Sequence, residues 1–260
     1  MVVLLHGVTM DRTTYEPFVV PWLVDGGFRV VNADLRGHGQ TGWADSYRAL
    51  DFAGDVADLI RGLDTGPVMV VGHSLGGLTG AALAAEHPDL VRALFLEDPP
   101  LFQGDAEIHA NTDFITRQPP FIELIRQWQG NHRRPQDLAD EMLAWPYAGN
   151  QTLLDVLGRD GVRDWATSIL KFDPDALQAG VDGNLWLGYD PYTPLDCPVT
   201  VLAADADVDA VFFPEHEDLL RSAAPQTRVV QAEGSPHLIH LEERGLKTFL
   251  EELERILDSL

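Results

Sequence analysis

The chain has 260 residues, 45% of them hydrophobic, and a formal net charge of −23 at pH 7. No apolar run approaches the roughly 20 residues that cross a bilayer, and the composition is that of an ordinary globular protein. An acidic surface of this kind repels nucleic acid and anionic membranes, so we expect neither as a partner.

The N-terminal segment MVVLLHG has no basic region and no small-residue cleavage site. We therefore expect no signal peptide and a cytoplasmic location. Cys197 is the single cysteine of the chain, which excludes an intrachain disulfide.

Short apolar runs rich in β-branched residues alternate with helical patterns along most of the chain. The runs predict strands at Met1–Leu5, Val30–Ala33, Val68–Gly72, Leu94–Leu96, Val199–Ala203 and Arg228–Gln231. The patterns between them predict helices at Tyr15–Val24, Leu50–Leu63, Leu75–Glu86, Pro214–Ala223 and Leu241–Leu257. Strand followed by helix, repeated, predicts an α/β fold with a doubly wound, mostly parallel sheet.

Residues 99–195 interrupt this alternation. They contain no convincing strand, and short helical candidates are separated there by proline and glycine. Half of the chain's aromatic residues fall in this segment. We expect a helical cap inserted between the two parts of a core domain, residues 1–98 and 196–260. Most of its rings would form the cap's own core, and a minority would line a pocket.

The segment GHSLGG, Gly72 to Gly77, follows a predicted strand and opens a predicted helix. Gly-x-Ser-x-Gly in this context is the pattern of a nucleophile elbow, a sharp turn that requires small neighbours. Ser74 would stand at the helix N-terminus, where the backbone N–H of Leu75 faces a bound oxyanion. The alternative is a strand-to-helix turn without a catalytic role.

Together with the elbow, VVLLHGVT and NADLRGHGQT make the chain similar to the α/β-hydrolase family over nearly its whole length. The resemblance implies a serine hydrolase that needs no cofactor, with the second oxyanion N–H on Val8. It also implies a structural role for His6 and a bracing role for Asp34 and Arg36. Consistent with this, no cluster of His, Cys and carboxylates has metal-ligand spacing.

A serine nucleophile needs a base. The family order is Ser, acid, His, so the base is sought near the C-terminus, where AEGSPHLIHLE contains two histidines. His237 follows the Gly-Ser-Pro loop and is our choice for the base. His240, where the last helix begins, is the alternative.

The position of the acid is open. FLEDPPLF places Asp98 after the strand that follows the nucleophile helix, 24 residues beyond Ser74. This arrangement resembles that of haloalkane dehalogenases and zearalenone lactonase-like enzymes. The two prolines also hold Asp98 rigidly, as an orienting acid requires. The more usual family location, after the strand Val199–Ala203, offers Asp205, Asp207 and Asp209. We place the acid at Asp98 and keep the other three as alternatives.

These residues predict a serine hydrolase that acts on small-molecule carboxylic esters or lactones with apolar bodies. Other reactions would use the same elbow and remain alternatives: hydrolysis of amides, thioesters or carbon–carbon bonds, and cofactor-free perhydrolysis. The alternative from another functional class is a ligand receptor that retains the triad of serine, acid and histidine. Family members that hydrolyse haloalkanes or epoxides carry aspartate at the elbow, so Ser74 excludes those reactions.

Overall fold

The computed structural model describes residues 1–110 and 114–260, with the backbone alone for 114–116. Residues 111–113, which belong to the predicted cap, lie outside the described residues. Within the described ranges, six parallel strands form one sheet in the order β2-β1-β3-β4-β5-β6. The strands are β1 (Val2–Leu5), β2 (Val30–Ala33), β3 (Val68–His73), β4 (Val91–Glu97), β5 (Val199–Ala203) and β6 (Arg228–Gln231).

Ten α-helices accompany the sheet in residues 1–110 and 114–260. They are α1 (Val19–Asp25), α2 (Ala49–Leu63), α3 (Leu75–Glu86), α4 (Ala106–Ala110), α5 (Phe114–Gly130), α6 (Pro135–Met142), α7 (Leu153–Lys171), α8 (Pro174–Val181), α9 (Pro214–Ala223) and α10 (Glu243–Asp258). Helices α4 to α8 lie between β4 and β5 in the chain, where the sequence predicts the cap. None of the helices in these ranges is both long and apolar enough to cross a membrane.

All six predicted strands are present, but two predicted helix starts were wrong. Instead of beginning at Tyr15, α1 begins at Val19, because Pro17 lacks the N–H that would continue the turn Arg12–Tyr15 as a helix. The last helix begins at Glu243 and not at Leu241. Glu242 caps it by accepting hydrogen bonds from the N–H groups at positions 244 and 245.

The four central strands, β1, β3, β4 and β5, are buried on both faces because their side chains alternate between two hydrophobic cores, whereas the edge strands β2 and β6 are partly exposed. Val3 and Leu5 of β1 face one core together with α2 and α3. Val2 and Leu4 face the other core together with α1 and α10. Buried side chains from α5 to α8 join the first of these cores. The helices between β4 and β5 therefore pack on the α3 side of the molecule.

The chain reverses its direction of travel across the sheet at β1. From β1 it passes to β2 on one side, and then returns to β3 on the other side. At such a switch point, the loops after the two adjacent strands leave the same sheet edge toward opposite faces and open a crevice. The crevice here lies between the loop after β1 and the turn after β3, which carries Ser74.

Two glycines let the β3–α3 turn pass close to β1. A Cβ added at Gly76 would lie 2.0 Å from the carbonyl oxygen of Leu5, and one added at Gly72 would lie 2.3 Å from the carbonyl oxygen of Gly76. Because both obstacles are backbone atoms, no side-chain movement can relieve them. This close approach sets the distance between the two loops of the crevice.

We expect Gly76→Ala to lower the free energy of unfolding by roughly 3 kcal/mol, because the new methyl group overpacks against backbone. Gly54→Ala is the matched control: Gly54 lies inside α2, and an added Cβ there meets nothing within 4 Å. It should raise the free energy of unfolding by about 0.5–1 kcal/mol, since alanine favours the helix. Urea unfolding of both variants measures the difference. Equal midpoints would contradict the account.

Candidate active site

The turn after β3 holds Ser74 in a strained backbone conformation. Its φ is +50° and its ψ is −114°, a region that a non-glycine residue rarely occupies. The Ser74 N–H donates to the carbonyl of Glu97 at 2.8 Å, and the Ser74 carbonyl accepts from Leu78 of α3 at 3.0 Å. The end of β4 thus fixes the turn from one side, and helix α3 fixes it from the other.

Asp98 follows β4 directly and contacts His237. Its Oδ2 lies 2.5 Å from Nδ1 of His237. Asp98 is fully buried, whereas the His237 side chain is 20% exposed. A carboxylate only accepts, so Nδ1 carries the proton, and Nε2 of the neutral ring is left as the basic nitrogen. This is the tautomer that a general base for Ser74 requires.

Three backbone N–H groups also donate to the Asp98 carboxylate. Oδ1 accepts from Ala204 at 3.2 Å and from Phe212 at 3.0 Å, while Oδ2 accepts from Val211 at 2.8 Å. All three donors belong to the segment after β5. In this chain, the loop that usually supplies the family's acid instead holds a carboxylate from the neighbouring strand.

The other three aspartates considered for the acid occupy different environments. Asp205 accepts from the N–H of Asp207 at 3.0 Å and of Gly234 at 2.7 Å, which ties the loop after β5 to the loop after β6. Asp207 is exposed. Asp209 is partly buried and near His237: burial raises the pKa of Asp209, and the charge of His237 opposes that rise.

The pKa of His237 lies above its ordinary value of 6.5. Burial by itself lowers this pKa. The hydrogen bond and charge of Asp98 outweigh burial, and the charges of Asp209 and Glu97 add to the rise. The site therefore contains an imidazole that gains a proton more readily than a solvated one.

His73, the residue before the serine, links the elbow to the His237 loop. Its Nε2–H donates to the backbone carbonyl of His237 at 3.0 Å, and the two ring centroids are 4.6 Å apart. Burial, followed by the charges of His237 and His240, lowers the pKa of His73 well below 6.5. A neutral His73 bonded in this way holds the His237 backbone against the nucleophile turn.

The loop after β1 brings Val8 to the same crevice. His6 is fully buried, and its Nδ1–H donates to the carbonyl of Gly7 at 2.8 Å, while its Nε2 accepts from the N–H of Leu35 at 3.0 Å. Both ring nitrogens are thus engaged in holding the loop, as expected for a structural histidine. Across the crevice, Leu75 is the first residue of α3, and the N–H of that position has no partner within a helix.

Asp34 braces the loop after β2, which contains most of the segment NADLRGHGQT that resembles the family. This carboxylate accepts from the backbone N–H of Arg12 at 2.9 Å, from its guanidinium at 2.7 Å, and from the N–H of Gln40 at 2.9 Å. Arg36 in turn pairs with Asp55 of α2 at 2.6 Å. Both residues therefore make the bracing contacts that the resemblance implies.

A second carboxylate–imidazole pair, missed by the sequence analysis, lies beside the first. His240 Nδ1 is 2.7 Å from Oε2 of Glu97, and the His240 backbone N–H donates to Oε1 at 2.9 Å. Its Nε2 is 2.9 Å from Oγ1 of Thr14, and neither member of the pair is exposed. Both ring nitrogens of His240 therefore have partners inside the protein, and His240 is not free to act as the base. A charged Glu97 directly after the buried apolar run ALFL of β4 was the signal available in the sequence.

Two aromatic side chains from the helical segment 99–195 reach the site. Tyr147, half-buried, has its phenol near the backbone N–H of Leu238, next to His237. Burial, and then the charge of Asp209, raises the pKa of this phenol, and the Leu238 N–H opposes the rise. Trp165 of α7 donates its indole N–H to Oγ1 of Thr9, next to Val8, at 3.1 Å. The segment thus contacts both the base loop and the loop after β1.

Within the part of the chain that the structure describes, no three His, Cys, Asp or Glu side chains form a group that could hold a metal ion. The independence from metals and cofactors stays a prediction of the sequence analysis.

Comparison with known proteins agrees with this architecture. Residues 1–244 match the protein family described as alpha/beta hydrolase fold. The 2-(acetamidomethylene)succinate hydrolase of Mesorhizobium japonicum is 36% identical over 99 residues, which are 38% of this chain and 35% of that protein. In that match the chain spans about a third of the relative's length.

Two longer matches extend along the chain. The (E)-2-((N-methylformamido)methylene)succinate hydrolase of Acinetobacter baylyi is 23% identical over 241 residues, 92% of this chain and 84% of that protein. The structure of a thermophilic esterase from Thermogutta terrifontis, with malate bound, is 26% identical with a TM-score of 0.65 and covers 98% of this chain and 89% of that one. Since the family match takes in most of the sequence, the chain belongs to the α/β hydrolase fold family of enzymes.

Proposed function

We propose that the protein is a serine hydrolase that cleaves carboxylic esters or lactones through Ser74, His237 and Asp98. The observation that carries this proposal is the 2.5 Å contact between His237 and Asp98 beside the strained turn of Ser74. A buried carboxylate that orients an imidazole next to a serine elbow is the arrangement that activates a serine hydroxyl.

In the proposed mechanism, Nε2 of His237 removes the Ser74 proton as Oγ attacks the acyl carbonyl. The N–H groups of Val8 and Leu75 hold the oxyanion, and Asp98 stabilises the imidazolium that forms. His237 then protonates the leaving alcohol, which leaves an acyl-enzyme on Ser74. A water molecule, deprotonated by His237, releases the acid by the reverse steps.

A cavity beside the loop after β1 supports an apolar, small-molecule substrate. Its volume is about 330 Å³, and its apolar walls include Met10, Trp165 and Leu241. Two of these walls are near the proposed site along the chain: Met10 is two residues beyond Val8, and Leu241 is four residues beyond His237. Since Ser74, His237 and Val8 do not line this cavity, we propose it for the apolar end of the ester or lactone that lies farthest from the scissile bond. Because Asp11 and Asp164 also line it, an anionic acyl group is disfavoured there.

Amide hydrolysis is the second candidate. Two relatives reported above carry names of substrates with an acetamido or N-methylformamido group. The same serine, base and oxyanion donors serve an amide when His237 protonates the leaving nitrogen. An amide analogue of the best ester separates the two functions by the ratio of their kcat/KM values.

We expect turnover of p-nitrophenyl esters, from acetyl to dodecanoyl, with an optimum in chain length that reports the size of the cavity. Aromatic lactones complete the panel. Ser74→Ala should lower kcat by at least about 10⁴-fold without changing the unfolding midpoint, since only the nucleophile is lost. A loss of less than about 100-fold in Ser74→Ala would contradict the mechanism. A ligand receptor of this fold, the alternative raised by the sequence, would instead show at most a few slow cycles of substrate turnover.

Asp98→Asn should lower kcat by about 10³–10⁴-fold, because the amide can donate to Nδ1 and then favours the wrong tautomer of His237. Asp207→Asn is the control, since Asp207 is exposed; its kcat should stay within about twofold of the wild type. Steady-state kinetics on the best ester measures both. Similar losses in the two variants would remove Asp98 from its proposed role.

The base must be neutral to act, so kcat/KM should rise with pH around a midpoint above 6.5, in line with the raised pKa of His237. Asp209→Asn removes a negative charge that raises this pKa, and the midpoint should therefore move to lower pH. The profiles are recorded at low ionic strength, with Asp207→Asn as the matched loss of charge. A midpoint that does not respond to Asp209, or responds equally to Asp207, would contradict the assignment.

A further inference from the structure

Thr9, the residue after Val8, has an unusual backbone. Its φ is +65°, a left-handed conformation that β-branched residues rarely adopt. Thr9 is also buried, with 6% of its surface exposed. Such a conformation persists only where surrounding contacts hold it. It matters for the site because the direction of the Val8 N–H depends on the backbone on either side of it.

The contact that reaches the Thr9 side chain comes from the segment between β4 and β5. The indole N–H of Trp165 donates to Oγ1 of Thr9 at 3.1 Å. Within the loop, the N–H of Met10 donates to the carbonyl of Gly7 at 3.3 Å, which closes a turn around Val8 and Thr9. One bond closes the turn, and the other ties it to α7.

Trp165 is itself held at a fixed place. Helix α7 is kinked at Gly158, where φ is +65° and ψ is 175°, so residues 159–171 form a separate helical segment. The far end of that segment is bound to the core: the indole N–H of Trp43 donates to the carbonyl of Lys171 at 3.0 Å. Just beyond it, the N–H of Asp173 donates to the carbonyl of Gly37 at 2.8 Å, and its carboxylate accepts from Tyr47 at 2.5 Å.

We propose that Trp165 is a positioning residue for the oxyanion hole. By its bond to Thr9, it keeps the turn after β1 in the conformation that points the Val8 N–H into the crevice. The inference rests on the proposed function, in which that N–H holds the oxyanion. The helical segment would then contribute to the reaction itself, in addition to covering the substrate.

The expected consequence is specific to the transition state. An oxyanion donor binds the tetrahedral intermediate more strongly than the planar carbonyl, so a displaced Val8 N–H lowers kcat more than it raises KM. A role confined to substrate packing would appear mainly in KM. A role confined to stability would appear in the unfolding midpoint and leave kcat of the folded enzyme unchanged.

Trp165→Phe removes the donor, and Thr9→Val removes the acceptor while keeping the branched shape. We expect each to lower kcat about 10-fold. KM should change less than about twofold in Thr9→Val, since Thr9 does not line the proposed substrate cavity, whereas Trp165→Phe also alters the cavity wall and changes KM as well. Because both remove the same bond, the double variant should lose no more than either single one. Thr9→Ser, which keeps the hydroxyl, should restore most of the lost kcat.

Trp43→Phe is the matched control: it removes the hydrogen bond of an exposed indole between α7 and the core, while the Asp173 bonds to Gly37 and Tyr47 still hold that end of the helix. Its kcat should stay within about twofold of the wild type. Unfolding midpoints of all variants identify any that fail to fold. If Trp165→Phe does not fold, Thr9→Val and Thr9→Ser carry the test, since the indole stays in place.

Binding of phenylboronic acid gives a second measurement. It forms a tetrahedral adduct on the serine, with an oxygen where the oxyanion would lie. Its affinity should fall about as much as kcat in Trp165→Phe and Thr9→Val, and should be unchanged in Trp43→Phe. Unchanged kcat and affinity, additive losses in the double variant, or an equal loss in Trp43→Phe would overturn the inference. A loss of kcat smaller than about 100-fold in Ser74→Ala would instead overturn the proposed function.

Discussion

The carboxyl end of β4 is the constraint on which the site depends. Two consecutive residues there bind two separate segments: the Glu97 carbonyl accepts from Ser74 of the nucleophile turn, while the Glu97 and Asp98 carboxylates accept from His240 and His237 of the base loop. Because β4 pairs with both β3 and β5 in the middle of the sheet, these residues can hardly move. The nucleophile turn and the base loop are therefore placed relative to one rigid point.

This arrangement explains the environment of each titratable group. Asp98 is fully buried yet satisfied by three backbone N–H groups and one imidazole, so no unpaired charge is left inside the protein. The same carboxylate raises the pKa of His237, whereas His73, without such a partner, has its pKa lowered by burial. Two adjacent imidazoles thus differ in pKa, because only His237 has a carboxylate hydrogen-bonded to its ring.

Much of the architecture could be predicted from the sequence, because its signals are local. The β-branched runs predicted all six strands. The glycines around Ser74 predicted a tight turn, and the structure shows why they are needed: a Cβ at either glycine would collide with backbone atoms. The placement of Asp98 against His237 joins residues 139 positions apart, and the sequence could rank Asp98 above Asp207 but not exclude the latter. The Glu97–His240 pair and the Trp165–Thr9 bond were missed, since each depends on packing between distant segments that no local pattern encodes.

The central claim is that Ser74, activated by His237 and Asp98, forms a covalent intermediate. The most direct test is intact-mass and peptide mass spectrometry after brief exposure to an organophosphate ester, which traps an activated serine irreversibly. The account predicts one phosphoryl group per chain, located on Ser74, and a much slower reaction in Asp98→Asn. A modification on another residue, no modification of the folded protein, or equal rates in Asp98→Asn and the wild type would contradict it.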